Sequence, residues 1–135
     1  MNSKVIDNWQ KKVRSISLRR FMAIDLPASR VDAQRRMTDY WAVRLVETEE
    51  FALNVNVARC EEGFLYSIAS ITPQGASSSA PYYEPQHAAK KKVNVLRVAL
   101  RNALYMGQWA KWSSELTAAL EGLDKYDSKQ MLLNF

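Results

Sequence analysis

The stretch that decides the fold is Phe51-Ala52-Leu53-Asn54-Val55-Asn56-Val57-Ala58-Arg59-Cys60-Glu61-Glu62-Gly63-Phe64-Leu65-Tyr66-Ser67-Ile68-Ala69-Ser70-Ile71. Two runs of largely alternating apolar and polar side chains flank an acidic turn, the pattern of two half-buried strands joined as a hairpin. A three-residue loop would set Asn54 and Asn56 opposite Ser70 and Ile68, placing amides on the apolar row. A four-residue loop, Cys60-Glu61-Glu62-Gly63, pairs Val57 with Tyr66 and Val55 with Ile68 instead. Because a slip of one residue turns every side chain to the other face, the four-residue loop is the predicted register. Gly63 then stands last in the loop, where a left-handed backbone costs glycine little.

Reading towards the N-terminus, Trp41, Val43 and Leu45 alternate with Ala42 and Arg44, giving a further antiparallel strand. It joins the hairpin through a glycine-free turn near Thr48-Glu49-Glu50. Earlier still the period lengthens. Val5, Trp9, Val13 and Ile16 form one stripe, which predicts a helix from about Ser3 to Met22 with Lys11, Lys12 and Arg19 on its polar side. Asp25-Leu26-Pro27 punctuates the chain, and Ser29-Arg30-Val31-Asp32 has the form of an N-terminal cap, so a short second helix is expected to about Met37. After the hairpin, residues 72–87 hold three of the four prolines and a serine run, the composition of a long loop. A helical pattern then runs from about Ala88 to about Ala119, with break points at Gly107 or Ser113-Ser114 and a stop at Gly122. The expected fold is therefore α+β: two N-terminal helices, a three-stranded antiparallel β-meander, and a long C-terminal helix, whole or broken in two, on one face of the sheet.

A chain of 135 residues is one domain by length and buries roughly two-thirds of its unfolded surface without a metal or disulfide staple. At 47% hydrophobic residues it has the composition of a globular protein. A single cysteine and a single histidine exclude an intramolecular disulfide and a multi-histidine metal cage, which suits a reducing compartment. No apolar run reaches the roughly 18 residues of a membrane span, and Met1-Asn2-Ser3-Lys4 opens a charged amphipathic pattern rather than a signal peptide. A soluble, cytoplasmic protein is expected. Its charge is uneven: residues 1–36 carry +6, residues 37–71 carry −4 and residues 72–135 carry +3. Basic ends around an acidic middle favour a polyanionic partner.

Catalytic chemistry finds few residues to work with. A nucleophile activated by an imidazole would have to pair His87 with Cys60 or with one of Ser77, Ser78 and Ser79, which reads as a solvated histidine beside a serine linker. Glu49-Glu50 and Glu61-Glu62 are adjacent carboxylates, but both pairs fall at predicted turns, where hydration keeps them ordinary. There is no phosphate-binding glycine loop and no metal-ligand spacing. A non-enzymatic protein with no cofactor and no metal is expected.

The sharpest feature lies on the long helix. At about 100° per residue, Lys90, Asn94, Arg97, Arg101, Tyr105, Gln108 and Trp112 fall within about 80° of one another, opposite Val93, Leu96, Leu100, Ala103, Leu104 and Gly107. Cations that meet phosphates merge into aromatic rings that stack on bases. Tyr105 and Trp112 can equally cap the core, so both readings of the aromatics stand. On the outer face of the sheet the predicted register sets Arg44, Asn54 and Ala69 in one row and Ala42, Asn56 and Ser67 in the next, a polar face open to water or to a protein. Tyr40 alone offers it a stacking ring, too few for an RNA-reading sheet.

Helix, three antiparallel strands, then a helix opening with Lys90-Lys91-Lys92 and continuing from Val93 to Leu104 resembles the double-stranded RNA-binding domain. In that family the second helix begins with lysines set against phosphates, and the resemblance implies the same role for this cluster. The likeness covers element order and lysines only. This chain has Gln86-His87-Ala88-Ala89 and a sixteen-residue loop where that family has a Gly/Ser turn and a K-K-x-A-K pattern, and it carries an extra N-terminal helix.

These readings converge on a small binding protein that associates with nucleic acid or a nucleoprotein complex through Lys90, Lys91, Lys92, Arg97 and Arg101, with Lys11, Lys12 and Arg19 on the first helix. The alternative is a protein–protein adaptor or inhibitor, such as a phage or mobile-element product acting on a host complex, using Tyr82, Tyr83, Tyr105 and Trp112. Tyr82 and Tyr83 stand between prolines just before the lysines, where a ligand on those lysines would meet them.

Overall fold

A computed structural model of the chain describes residues 15–34, 37–78 and 87–133. It is a mixed α+β protein around a five-stranded sheet with strands in sequence order. β1 is Ser15–Ser17, β2 Trp41–Glu47, β3 Ala52–Cys60, β4 Gly63–Thr72 and β5 Gly75–Ser78. The helices are α1, Leu18–Ala23, α2, Lys92–Met106, and α3, Ser113–Leu133, with a 3-10 turn at Ala110–Trp112 before the last.

The central hairpin adopts the register read from the sequence, with Val57 opposite Tyr66 and Val55 opposite Ile68. The ladder extends to Cys60 opposite Gly63, so Glu61 and Glu62 alone make the turn. Gly63 sits at a φ of 143°, and a Cβ there would overlap the Ala89 carbonyl. That carbonyl accepts the Phe64 N–H at 2.7 Å, which moors the lead-in of α2 to the start of β4. The first turn is held by the Thr48 hydroxyl, which accepts the Phe51 N–H at 2.9 Å. A bulge between Arg44 and Val46 shifts the β2–β3 register near that end.

The expected three-stranded antiparallel meander is a five-stranded sheet with one parallel edge, and four local expectations are corrected. Residues 15–17 are a strand, not helix: Ile16 lies beside Val43 in a parallel pairing, and Ser17 caps α1 by accepting the Arg20 N–H at 3.2 Å. The helical stripe ran through a residue that starts a helix rather than continuing one. The part of that expected helix before Ser15 lies outside the described residues. No second helix forms over 29–37 in the described residues. Ala28 bridges Arg59, Val31 bridges Met37, and the Asp32 carboxylate accepts the Gln34 N–H at 3.0 Å, so the supposed cap residue closes a local turn instead. The loop expected over 72–87 gives up Gly75–Ser78 to β5, which turns back on β4 through Pro73 and Gln74. The long C-terminal helix breaks at Gly107, which takes the left-handed conformation at a φ of 72°, but α3 then runs straight through Gly122.

Helices α2 and α3 cover one face of the sheet. Val93, Leu96 and Leu100 of α2 and Leu116 and Leu123 of α3 are fully buried with Phe51, Leu53, Val55 and Ile68. Complete burial of a leucine is worth about 1.5–3 kcal/mol, so these positions dominate the attachment of the helices. One polar and one aromatic contact fix their seating: Trp109 Nε1 donates to the buried Ser70 hydroxyl at 2.7 Å, and Trp112 stacks on Phe51 with centroids 4.8 Å apart.

The opposite face carries the two predicted rows, Arg44–Asn54–Ala69 and Ala42–Asn56–Ser67. It is polar as expected but not open to water throughout. Asn54 is 0% exposed, and the Arg44 side chain, 10% exposed, donates to Asn54 Oδ1 at 2.5 Å and to Glu47 Oε1 at 2.6 Å. Near the Cys60 end a small apolar cluster of Met37, Ala58 and Leu65 closes the same face. No described helix is long and apolar enough to cross a membrane.

Candidate nucleic-acid interface

Between Glu84 and Glu115 the chain carries six Lys/Arg residues and no carboxylate side chain. The structure distributes those cations unequally. Lys91 is the N-cap residue of α2 and is exposed, and no acidic residue lies in the first turn. Backbone N–H groups and lysine charge thus meet at one helix end, both favourable to an anion. Lys90 is exposed too, with its Nζ donating to the Glu62 carbonyl in the hairpin turn.

Lys92 is turned inward. Its Nζ donates to the carbonyls of Phe21, at 2.9 Å, and Ile24, and lies 5.3 Å from the centre of the Phe21 ring. The ammonium therefore caps the C-terminal end of α1. Burial pushes the Lys92 pKa below its usual value, with Asp25 pulling weakly the other way.

Arg97 faces α3, where its Nη2 meets Asp124 Oδ1 at 2.6 Å. Arg101, one turn further, is exposed and makes no ion pair among the described residues. Tyr105 is 90% exposed, the most open large hydrophobic side chain among the described residues. Because α2 ends at Met106, Gln108 and Trp112 do not continue its stripe. Gln108 is exposed in the connection, while Trp112 lies half-buried on Phe51 with Lys111 Nζ 5.2 Å from its ring centre. Arg19 is exposed on α1. Lys11, Lys12, Tyr82 and Tyr83 lie outside the described residues.

The outward ridge of α2 thus consists of Lys91, Asn94, Arg101 and Tyr105, about 20 Å from end to end at 1.5 Å per residue. Sequence reasoning passed over its apolar members. Val98 is 43% and Met106 46% exposed. Val98 falls on the side of α2 away from the core leucines, and an apolar side chain there was a readable signal. A cavity of about 300 Å3 opens beside it between α2 and β4, lined by Phe64, Tyr66, His87, Ala89, Val98 and Asn102 among others. Asn102 Nδ2 donates to Tyr66 Oη inside it.

No family model matches the chain, and no curated protein or solved structure is significantly similar to it. Its function is to be argued from this geometry. Among the described residues no group of three or more His, Cys, Asp or Glu is placed to hold a metal ion. Burial raises the Cys60 pKa above its usual value, which suppresses the nucleophilic thiolate.

Proposed function

We propose that the chain is a non-enzymatic binding protein that associates with nucleic acid or a nucleoprotein complex through the outer face of α2 and its lysine lead-in. The observation that carries this reading is the solvent-facing series Lys90, Lys91, Arg101 and Tyr105 on a carboxylate-free segment. Three cations supply phosphate contacts, and an almost fully exposed tyrosine supplies a stacking surface worth about 1–3 kcal/mol to an unpaired base. Lys92 and Arg97, engaged within the fold, position the helix rather than the ligand.

A second reading, a protein–protein adaptor or inhibitor, is favoured by one observation: Val98, Tyr105 and Met106 expose apolar surface around Arg101, a composition common at protein interfaces. Fluorescence anisotropy with labelled 20-nucleotide single strands and duplexes separates the two. The nucleic-acid reading expects micromolar or tighter binding at 50 mM salt, lost in Arg101→Glu. No binding of either probe, together with a lysate partner that survives nuclease treatment and is lost in Tyr105→Ala, would replace it with the adaptor reading.

A further inference from the structure

Resting on the nucleic-acid reading, we propose that the cavity between α2 and β4 receives one unstacked nucleobase, a purine in preference to a pyrimidine. The cavity, about 300 Å3, stands at the small end of ligand-binding cavities, sized for one ring system rather than a peptide. Phe64, Ala89 and Val98 give it apolar walls, and the side chains of Tyr66, His87 and Asn102 bring three polar groups to it.

Asn102 supplies the polar anchor. One of its two amide hydrogens is used on Tyr66 Oη, its one side-chain hydrogen bond among the described residues. The second N–H and Oδ1 therefore remain as a donor–acceptor pair. Adenine presents the complement, an amino hydrogen beside a ring nitrogen acceptor, and an asparagine–adenine pair is the standard pairing of this kind. Cytosine offers the same pattern on its Watson–Crick edge but fills less of the apolar wall. Guanine and thymine turn a carbonyl to the N–H and a ring N–H to Oδ1, so Asn102 anchors any base and the apolar walls favour the larger purines.

The charge around the cavity suits a nucleotide rather than a neutral ligand. Ala89 lines the wall and is followed at once by Lys90 and Lys91, both exposed. Arg101 precedes Asn102 on α2 and faces solvent. A base held in the cavity thus has cations on two sides for the phosphates of its own strand. Tyr105, one turn beyond Arg101, is placed to stack on a neighbouring base.

The test compares 5′-labelled dA12, dC12 and dT12 by anisotropy, with adenosine monophosphate added as a separate ligand. The expected result is dA12 bound roughly tenfold more tightly than dT12 and dC12, and the dA12-to-dT12 ratio falling to about one in Asn102→Asp, whose carboxylate accepts the thymine N3–H but repels the adenine ring nitrogen. The aspartate still accepts a hydrogen bond from Tyr66 Oη but lacks the donor. Val98→Trp, which fills the mouth, should remove the same preference and keeps the test decisive if Asn102→Asp fails to fold. Adenosine monophosphate bound while none of the strands is would support the base site and overturn the strand reading. Equal affinity for all three strands would overturn the base site and leave the α2 surface standing. No binding of any probe would overturn both.

Discussion

Adjacent lysines at the start of α2 should behave in opposite ways. Lys92→Met keeps an unbranched apolar stem and removes the ammonium. Two carbonyls at the end of α1, those of Phe21 and Ile24, lose their charged donor, and the fully buried Phe21 ring loses a cation 5.3 Å from its centre. Hydrogen bonds to a charged group are worth about 1.5–3 kcal/mol each, and a cation over a ring about 0.5–1 kcal/mol. Lys92 is only half-buried and its desolvation opposes these gains, so the net loss should lie near 2 kcal/mol, well below their sum of about 3.5–7 kcal/mol. Lys91→Met removes an exposed charge without a described partner and should change stability by less than about 0.5 kcal/mol. Urea unfolding reads both, with an unchanged slope showing that compactness is preserved. Anisotropy on the folded proteins should then show the reverse order: binding weakened in Lys91→Met and near normal in Lys92→Met. The reasoning is refuted if Lys92→Met is as stable as the parent and loses binding, since the ammonium would then have left α1 to serve the ligand.

Further expectations follow from individual contacts. Folding lowers the Lys92 pKa, so the folded chain holds fewer protons there than the unfolded chain between the depressed value and the usual 10.5. Stability relative to Lys92→Met should therefore rise with pH across that window, and a fall in paired urea titrations would contradict the burial argument. Trp109→Phe should cost about 0.5–1.5 kcal/mol because it removes the hydrogen bond to the buried Ser70 hydroxyl, and a double-mutant cycle with Ser70→Ala should show the two losses to be less than additive. Gly63→Ala combines a strained φ with an overlap on the Ala89 carbonyl. It should lower the melting temperature by several degrees, as a loss of about 1–3 kcal/mol would, and a neutral result would show that the α2 lead-in is not moored there. The Cys60 thiol should react slowly with iodoacetamide at pH 8 in the folded protein and faster in urea, and equal rates would show that burial does not raise its pKa.

How much of this was legible in the sequence depends on what each signal measured. The β3–β4 register was readable because Asn54 and Asn56 cannot share the row of Val55 and Val57, a constraint internal to two adjacent strands. The break at Gly107 was readable because glycine takes a left-handed backbone cheaply. Gly122 carried the same signal and meant nothing, since α3 holds it within a regular helix. The strand at Ser15–Ser17 was hidden because a parallel pairing with residues 42–44 is a distant contact that local periodicity does not report. The site followed the same division. The exposed positions of Arg101 and Tyr105 follow from angle around one helix. The inward turn of Lys92 depends on α1, and that of Arg97 on Asp124 of α3, so no helical wheel separates them from Lys91. The cavity needs β4 and α2 side by side, which is why Asn102 and Val98 went unmarked.

If the outward cations of α2 meet phosphates, binding must weaken with salt in proportion to their number. Each phosphate neutralised contributes about 0.7–0.9 to the slope of log K against log salt. Anisotropy of the parent and of the Lys90→Gln, Lys91→Gln, Arg101→Gln triple variant on one oligonucleotide, over 50 to 200 mM salt, gives both slopes. The account predicts a steep parental slope, shallower by about 2 to 3 in the triple variant at unchanged melting temperature. Equal slopes for the two proteins, or no binding by the parent at 50 mM salt, would contradict it.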